Sequence, residues 1–152
     1  MSFGITPELI ELVKAEEGWV DHPYRCPAGY PTIGWGHRIP DMNHPPISKI
    51  EGMALLQKDL LFHRDNALRL SPGLSVGSER RLAAITDFIY NCGPAAYGKS
   101  ILRVVVNKEK WSEAAAQMRK WVWATDPNTK KKFKLAGLVS RRGKTATWLE
   151  EG

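Results

Sequence analysis

Apolar positions at helical spacing open the chain. Leu9, Ile10, Leu12 and Val13 form one stripe while Glu8, Glu11 and Lys14 fall opposite, the period of an amphipathic helix. Thr6 supplies an N-cap, and Pro7 takes the first helical position, where its missing N–H costs nothing. One turn further the stripe reaches Glu16 and Glu17, with Gly18 behind them as a stop. Two carboxylates on the inward side of a helix end need either partners or a chemical task.

Residues 19–38 follow another pattern. Pro23, Pro27, Gly29, Pro31, Gly34 and Gly36 forbid a helix, and Trp19, Val20, Tyr24, Tyr30, Ile33 and Trp35 are strand formers. This predicts a small twisted hairpin turning around Pro27-Ala28-Gly29. A proline-rich connector runs from Pro40 to Pro46. Ser48 with Glu51 three residues on is a capping box that opens a long helix to about Leu70. Ser71-Pro72-Gly73 breaks the chain, and Ser78 caps a helix through about Tyr90, ended by Asn91-Cys92-Gly93-Pro94. Shorter helices are expected near 98–107 and 112–125, and a last one near 136–150. No repeat or linker divides the chain. The expectation is one domain over 1–152, α+β, with a small hairpin lobe (about 18–46) packed beside a mostly helical lobe.

Composition narrows the class without choosing a function. A chain of 152 residues buries roughly 70% of its unfolded surface. With 43% hydrophobic and 25% charged residues, wholesale disorder and fibrous repeats are unexpected. Lys and Arg number 22 against 16 Asp and Glu, so 22 − 16 = +6, which favours polyanionic surroundings. Two cysteines are too few for a disulfide-stapled scaffold. The first residues show no signal-peptide pattern and no apolar run approaches the length of a membrane span. The expectation is a monomer made soluble in a reducing cytoplasm.

The informative stretch is Glu17-Gly18 followed by Tyr24-Arg25-Cys26-Pro27-Ala28-Gly29-Tyr30-Pro31-Thr32-Ile33-Gly34-Trp35-Gly36-His37. It resembles the signature of phage-type lysozymes, the endolysins that cut bacterial peptidoglycan. That family places a catalytic Glu at the end of its first helix, then an Asp on the hairpin, then a Thr within Thr-Ile-Gly-aromatic-Gly-His. The same register here gives Glu17, Cys26 and Thr32. Phe88-Ile89-Tyr90-Asn91-Cys92-Gly93 and Gly137-Leu138-Val139-Ser140-Arg141-Arg142 resemble two further family blocks in the same order. The resemblance implies a lysozyme-like fold, no cofactor and no metal.

The residue types suit that chemistry. Glycoside cleavage needs a protonated acid beside the bridging oxygen and a group that handles the oxocarbenium-like centre. Burial of Glu17 would raise its pKa and keep it a general acid near neutral pH. Glu16 resembles a family position that pairs with an arginine of the last helix, so Arg141 or Arg142 is its expected partner. Cys26 departs from the commoner Asp, although some relatives carry Cys there. A free thiol titrates at about pH 8.5, and three roles are open to it: thiolate nucleophile, base or anchor for water, or inert spacer. Asp21 is a weaker substitute, since the hairpin register would need a gap to bring it to the site.

Thr32 carries a hydroxyl able to hold a water, and Tyr30 and Gly34 share its face of the strand if pairing is regular. Tyr30 is accordingly a candidate for substrate binding. Gly34 and Gly36 allow close backbone approach. His37 is expected to be structural, bonded to a carboxylate. Cys92 reads as a buried thiol at a helix end. Trp111, Trp121, Trp123 and Trp148 lie in expected helices, where core packing is the usual role.

From Arg119 to Lys144 there are nine basic residues and one acid, Asp126, a face that would be drawn to an anionic cell envelope. No nucleic-acid module accompanies it. The resemblance implies an endolysin hydrolysing the β-1,4 bond between N-acetylmuramic acid and N-acetylglucosamine of peptidoglycan. It would wait in the host cytoplasm for a holin and then act on the periplasmic wall. A lytic transglycosylase forming anhydro-muramic acid is the first rival, and Thr32 speaks against it. A non-catalytic peptidoglycan-binding protein is the second.

Overall fold

Thr6 and Pro7 begin α1 (Pro7–Glu17), with the Thr6 hydroxyl accepting from the Leu9 N–H at 3.1 Å. The computed structural model describes residues 3–152. After α1 the chain forms a three-stranded antiparallel sheet, β1 (Val20–Arg25), β2 (Pro31–Gly34) and β3 (His37–Arg38), in the order β1-β2-β3. The expected hairpin thus gains a short third strand. Its pairing is irregular between Val20 and Tyr24, where Pro23 has no N–H to donate. In β2, alternation sends Ile33 into a small core with Ile39 and Ile47 and leaves Thr32 on the opposite face.

The capping box at Ser48 and Glu51 opens α2 (Lys49–Leu70), about 33 Å long at 1.5 Å per residue and able to serve both lobes. A 3₁₀ turn, Pro72–Ser75, leads to α3 (Glu79–Cys92). Leu82 through Ile89 are all buried there, the mark of a central helix wrapped by neighbours. The segment expected as one helix near 98–107 is two, α4 (Pro94–Lys99) and α5 (Ile101–Asn107), because Ser100 caps a new start by accepting from the Arg103 N–H.

The helix expected over 112–125 ends early. Helix α6 spans Trp111–Met118, and β4 (Trp123–Thr125) pairs antiparallel with β5 (Lys132–Lys134). Asp126 turns this hairpin, its Oδ1 accepting from the Asn128 and Thr129 N–H groups, an Asx turn that competes with helix. Trp123 is therefore 52% exposed rather than core, while Trp148 is buried and Trp111 and Trp121 are partly so. Helix α7 (Ala136–Glu151) closes the fold. Arg141 and Arg142, counted in the expected basic face, are buried.

Two contacts tie the sheet to the helical lobe. His37 Nδ1 meets Asp59 Oδ2 of α2 at 2.8 Å, and the Tyr90 hydroxyl of α3 donates to the Trp35 carbonyl at 2.8 Å. Trp19 and Trp35 pack at 4.4 Å between centroids. Gly52 makes room for them, since a Cβ there would fall 2.3 Å from the Trp19 ring.

Candidate active site

Glu17 ends α1 on the track of Leu9 and Val13, both fully buried, so its side chain enters the junction of α1, α3 and α7. Burial pushes its carboxyl above the ordinary range; nearby Asp87 and Glu16 add to this, and Arg141 opposes it. The Arg141 Nη1 stands 3.7 Å from Glu17 Oε1, beyond hydrogen-bond length. Its other edge is committed to Asp87, with Nε 3.1 and 3.0 Å from the two carboxylate oxygens and Nη2 2.7 Å from Oδ1.

Backbone closes over Glu17 from the sheet side. Gly36 has φ +80°, and a Cβ there would lie 2.8 Å from Glu17 Oε2. Gly36→Ala is expected to lose about 1–3 kcal/mol from the left-handed backbone alone. It should also lower kcat, because the carboxyl must move aside. Chemical denaturation and steady-state kinetics on the same preparation check both.

Glu16 corrects an expectation. It is exposed and makes no ion pair with Arg141 or Arg142. It continues the Leu12 track at the edge of the apolar stripe, and Arg141 is already held by Asp87. Glu16 stands instead on the wall of the cleft.

Cys26 follows β1 in the turn and is half-exposed, its N–H donating to the Tyr30 carbonyl at 3.0 Å. What burial it has opposes ionisation. The polar main-chain groups of Tyr30, Ala28 and Gly29 and the Thr32 hydroxyl around the sulfur outweigh it and hold the thiol below its ordinary value. Thr32 is buried on β2, opposite Tyr24 of β1, and its Oγ1 donates to the Tyr30 carbonyl at 2.8 Å. A hydroxyl has one proton, so Thr32 serves either this carbonyl or the sulfur at a given moment.

The structure brings Glu16, Glu17, Cys26, Thr32, Gly36 and Arg141 to one cleft of ≈ 500 Å³, open between the sheet and the helical lobe. It does not bring Tyr30, whose ring is 47% exposed beneath the Arg38 guanidinium at 3.9 Å. Tyr30 contributes its main chain instead. Asp21 is exposed beside His22 and lines no part of the cleft. Arg142 lies behind the site, donating to Asn91 Oδ1 and to Cys92 Sγ.

Sequence reasoning missed four residues here. Tyr24 and Tyr90 line the cleft, and burial, assisted by Glu17, raises both phenols. Arg38 lines it too, and the groove runs past Arg38, Tyr90 and Asn91 into a second depression of ≈ 430 Å³ beside His37 and Asp59. Asp87 is the fourth. Its signal lies in the sequence: a lone acid inside the apolar run Leu82–Ile89 of an otherwise regular helix.

A helical lobe and a small sheet flanking an open cleft, with a carboxyl raised by burial at the end of the first helix, define the lysozyme class. The family model described as Phage lysozyme matches residues 14–145. The SAR-endolysin of Escherichia phage Mu is 34% identical over 125 residues, 79% of this chain and 66% of that protein; the chain thus spans about two thirds of the Mu protein. The endolysin of Acyrthosiphon pisum secondary endosymbiont phage 1 is 30% identical over 139 residues, 91% of this chain and 92% of that one. Among solved structures, the muramidase domain of SpmX from Asticcacaulis excentricus superposes with TM-score 0.83 at 27% identity, covering 95% of this chain and 96% of that one. The active form of P1 phage endolysin Lyz gives 0.80 at 21% identity over 98% and 86% of the two chains, a likeness of fold. The chain belongs to the phage lysozyme family.

Proposed function

We propose that this lysozyme hydrolyses the β-1,4 bond between N-acetylmuramic acid and N-acetylglucosamine in peptidoglycan, with Glu17 as general acid. One observation carries the reading: a carboxyl raised by burial and a thiol lowered by hydrogen bonds line the same cleft. Glu17 gives its proton to the bridging oxygen as the glycosidic bond breaks. A water held by Thr32 adds to the anomeric carbon and passes its proton to the Cys26 thiolate. The adjoining depression past Tyr90 and Asn91 gives the glycan strand room to continue.

No described helix is long and apolar enough to cross a membrane. We take the enzyme to be made in the host cytoplasm as a monomer and to reach the wall once a holin has opened the inner membrane. Lys130, Lys131, Lys132 and Lys134 are exposed on and beside the β4–β5 hairpin, where they favour an anionic envelope.

Mass spectrometry of muropeptides released from purified peptidoglycan tests the reaction. Hydrated reducing-end muramic acid is the expected product. Anhydro-muramic acid would make the protein a lytic transglycosylase, and binding without release would make it a wall-binding module.

A further inference from the structure

Two guanidinium groups and one carboxylate are sealed behind the catalytic acid. Arg141 is 3% exposed, Arg142 1% and Asp87 0%, so neither arginine can turn its charge to water. Asp87 is the only carboxylate within 4 Å of Arg142 among the described residues: Nη1 lies 3.8 Å from Oδ2. Arg142 Nε and Nη1 have no hydrogen-bond partner among the described residues. Arg141 has two carboxylates within reach, Asp87 at 2.7 Å and Glu17 at 3.7 Å. A buried guanidinium takes the closest bidentate partner it can. Were Asp87 neutral, Glu17 would be the one carboxylate left within 4 Å of Arg141 among the described residues, and Arg142 would keep none.

We propose that Asp87 is a positioning residue for Glu17: by taking the Nε–Nη2 edge of Arg141, it keeps that guanidinium from closing on the catalytic carboxyl. The arrangement rests on the general-acid role proposed above. An acid locked in a salt bridge holds no proton to give, and an acid with no cation nearby would have nothing to fix its orientation. Asp87 sets the balance between these. The other groups facing Glu17 are Glu16 on α1, Tyr24 on β1 and Tyr90 on α3. At neutral pH the two phenols carry no charge and Glu16 is exposed, so none of them replaces the Asp87 carboxylate. Cys92, touching Arg142, is pushed upward by burial and stays a neutral thiol.

The test is the titration midpoint of the Glu17 carboxyl, followed by ¹³C NMR and assigned by its absence in Glu17→Gln. In Asp87→Asn, which keeps the side-chain shape, the midpoint is expected to fall by about 1–3 pH units. At neutral pH kcat should fall with KM little changed. In Arg141→Gln the midpoint is expected to rise, and this variant serves alone should Asp87→Asn fail to fold. A folded Asp87→Asn with an unmoved midpoint would reduce Asp87 to a strut between α3 and α7. An unmoved midpoint in Arg141→Gln would overturn the proposal by the same reasoning. Because the midpoint is read without turnover, it separates this idea from the general-acid reading, which fails if Glu17→Gln still cleaves.

Discussion

Replacing Glu17 by Gln is expected to lower peptidoglycan cleavage by about 10²–10⁴-fold, the ordinary contribution of a positioned general acid. The loss should appear in kcat, since Gln keeps the shape and most of the binding contacts but has no proton to donate. Stability should move the other way. Burial raises the folded pKa of Glu17 above its unfolded value. The stability contributed by the protonated form is therefore complete below the unfolded pKa and lost as pH rises through the folded one. At neutral pH the native protein carries part of the cost of a half-buried carboxylate, which the amide avoids. Glu17→Gln should thus melt at a higher Tm than the native protein at pH 7, and the gap should narrow toward pH 4. Retention of cleavage within tenfold would mean that another group donates the proton.

Cys26→Ser is expected to cost a similar factor, about 10²–10⁴, because a serine hydroxyl does not ionise near neutrality. Cys26→Asp should keep cleavage and move its optimum to lower pH. The physical reason is the pairing of titrations. The reaction needs the carboxyl protonated and the thiol ionised, and the fold moves the two groups toward each other, one raised and one lowered. Each pH unit by which the two titrations approach enlarges the working population about tenfold. A carboxylate at position 26 is ionised far below neutrality and removes the remaining mismatch. Alkylation is the companion measurement: iodoacetamide should abolish activity through Cys26. Cys92 should react slowly, because burial raises its thiol by more than Arg142 lowers it. A fully active Cys26→Ser enzyme would reduce position 26 to a spacer and leave Glu17 and Thr32 to do the work. A covalent glycosyl adduct on Cys26 would instead make it the nucleophile.

Local chemistry carried most of the architecture. The Thr6-Pro7 start, the Ser48–Glu51 capping box and the Ser78 cap each satisfy their helix's first N–H groups with their own side chains, so these starts are legible without any partner. Alternation in Pro31–Gly34 likewise sets which side of β2 meets the small core. The segment after Met118 was legible only in part. Its tryptophans suit a helix or a strand equally, and the Asx turn at Asp126 is what makes it a hairpin. At the site, Glu17, Cys26 and Thr32 stood out as residue types in a register, whereas Tyr24, Tyr90 and Arg38 join the cleft from separate segments with no shared spacing.

Glu16 and Asp87 mark the boundary between what the chain dictates and what packing decides. The sequence by itself determined two lobes, the starts of the long helices, and a carboxyl at the end of α1 to be met by a thiol and a hydroxyl from the hairpin. It also offered two acids and two arginines as an ion-pair set, but not which acid would hold which arginine. That choice belongs to the tertiary structure, because an ion pair is won by the carboxylate that is closest and driest. Asp87 sits on the buried face of α3, 2.7 Å from Arg141, while Glu16 faces water one helical step from Glu17. Charge buried against charge is a property of three helices meeting, and no single segment of the chain contains it.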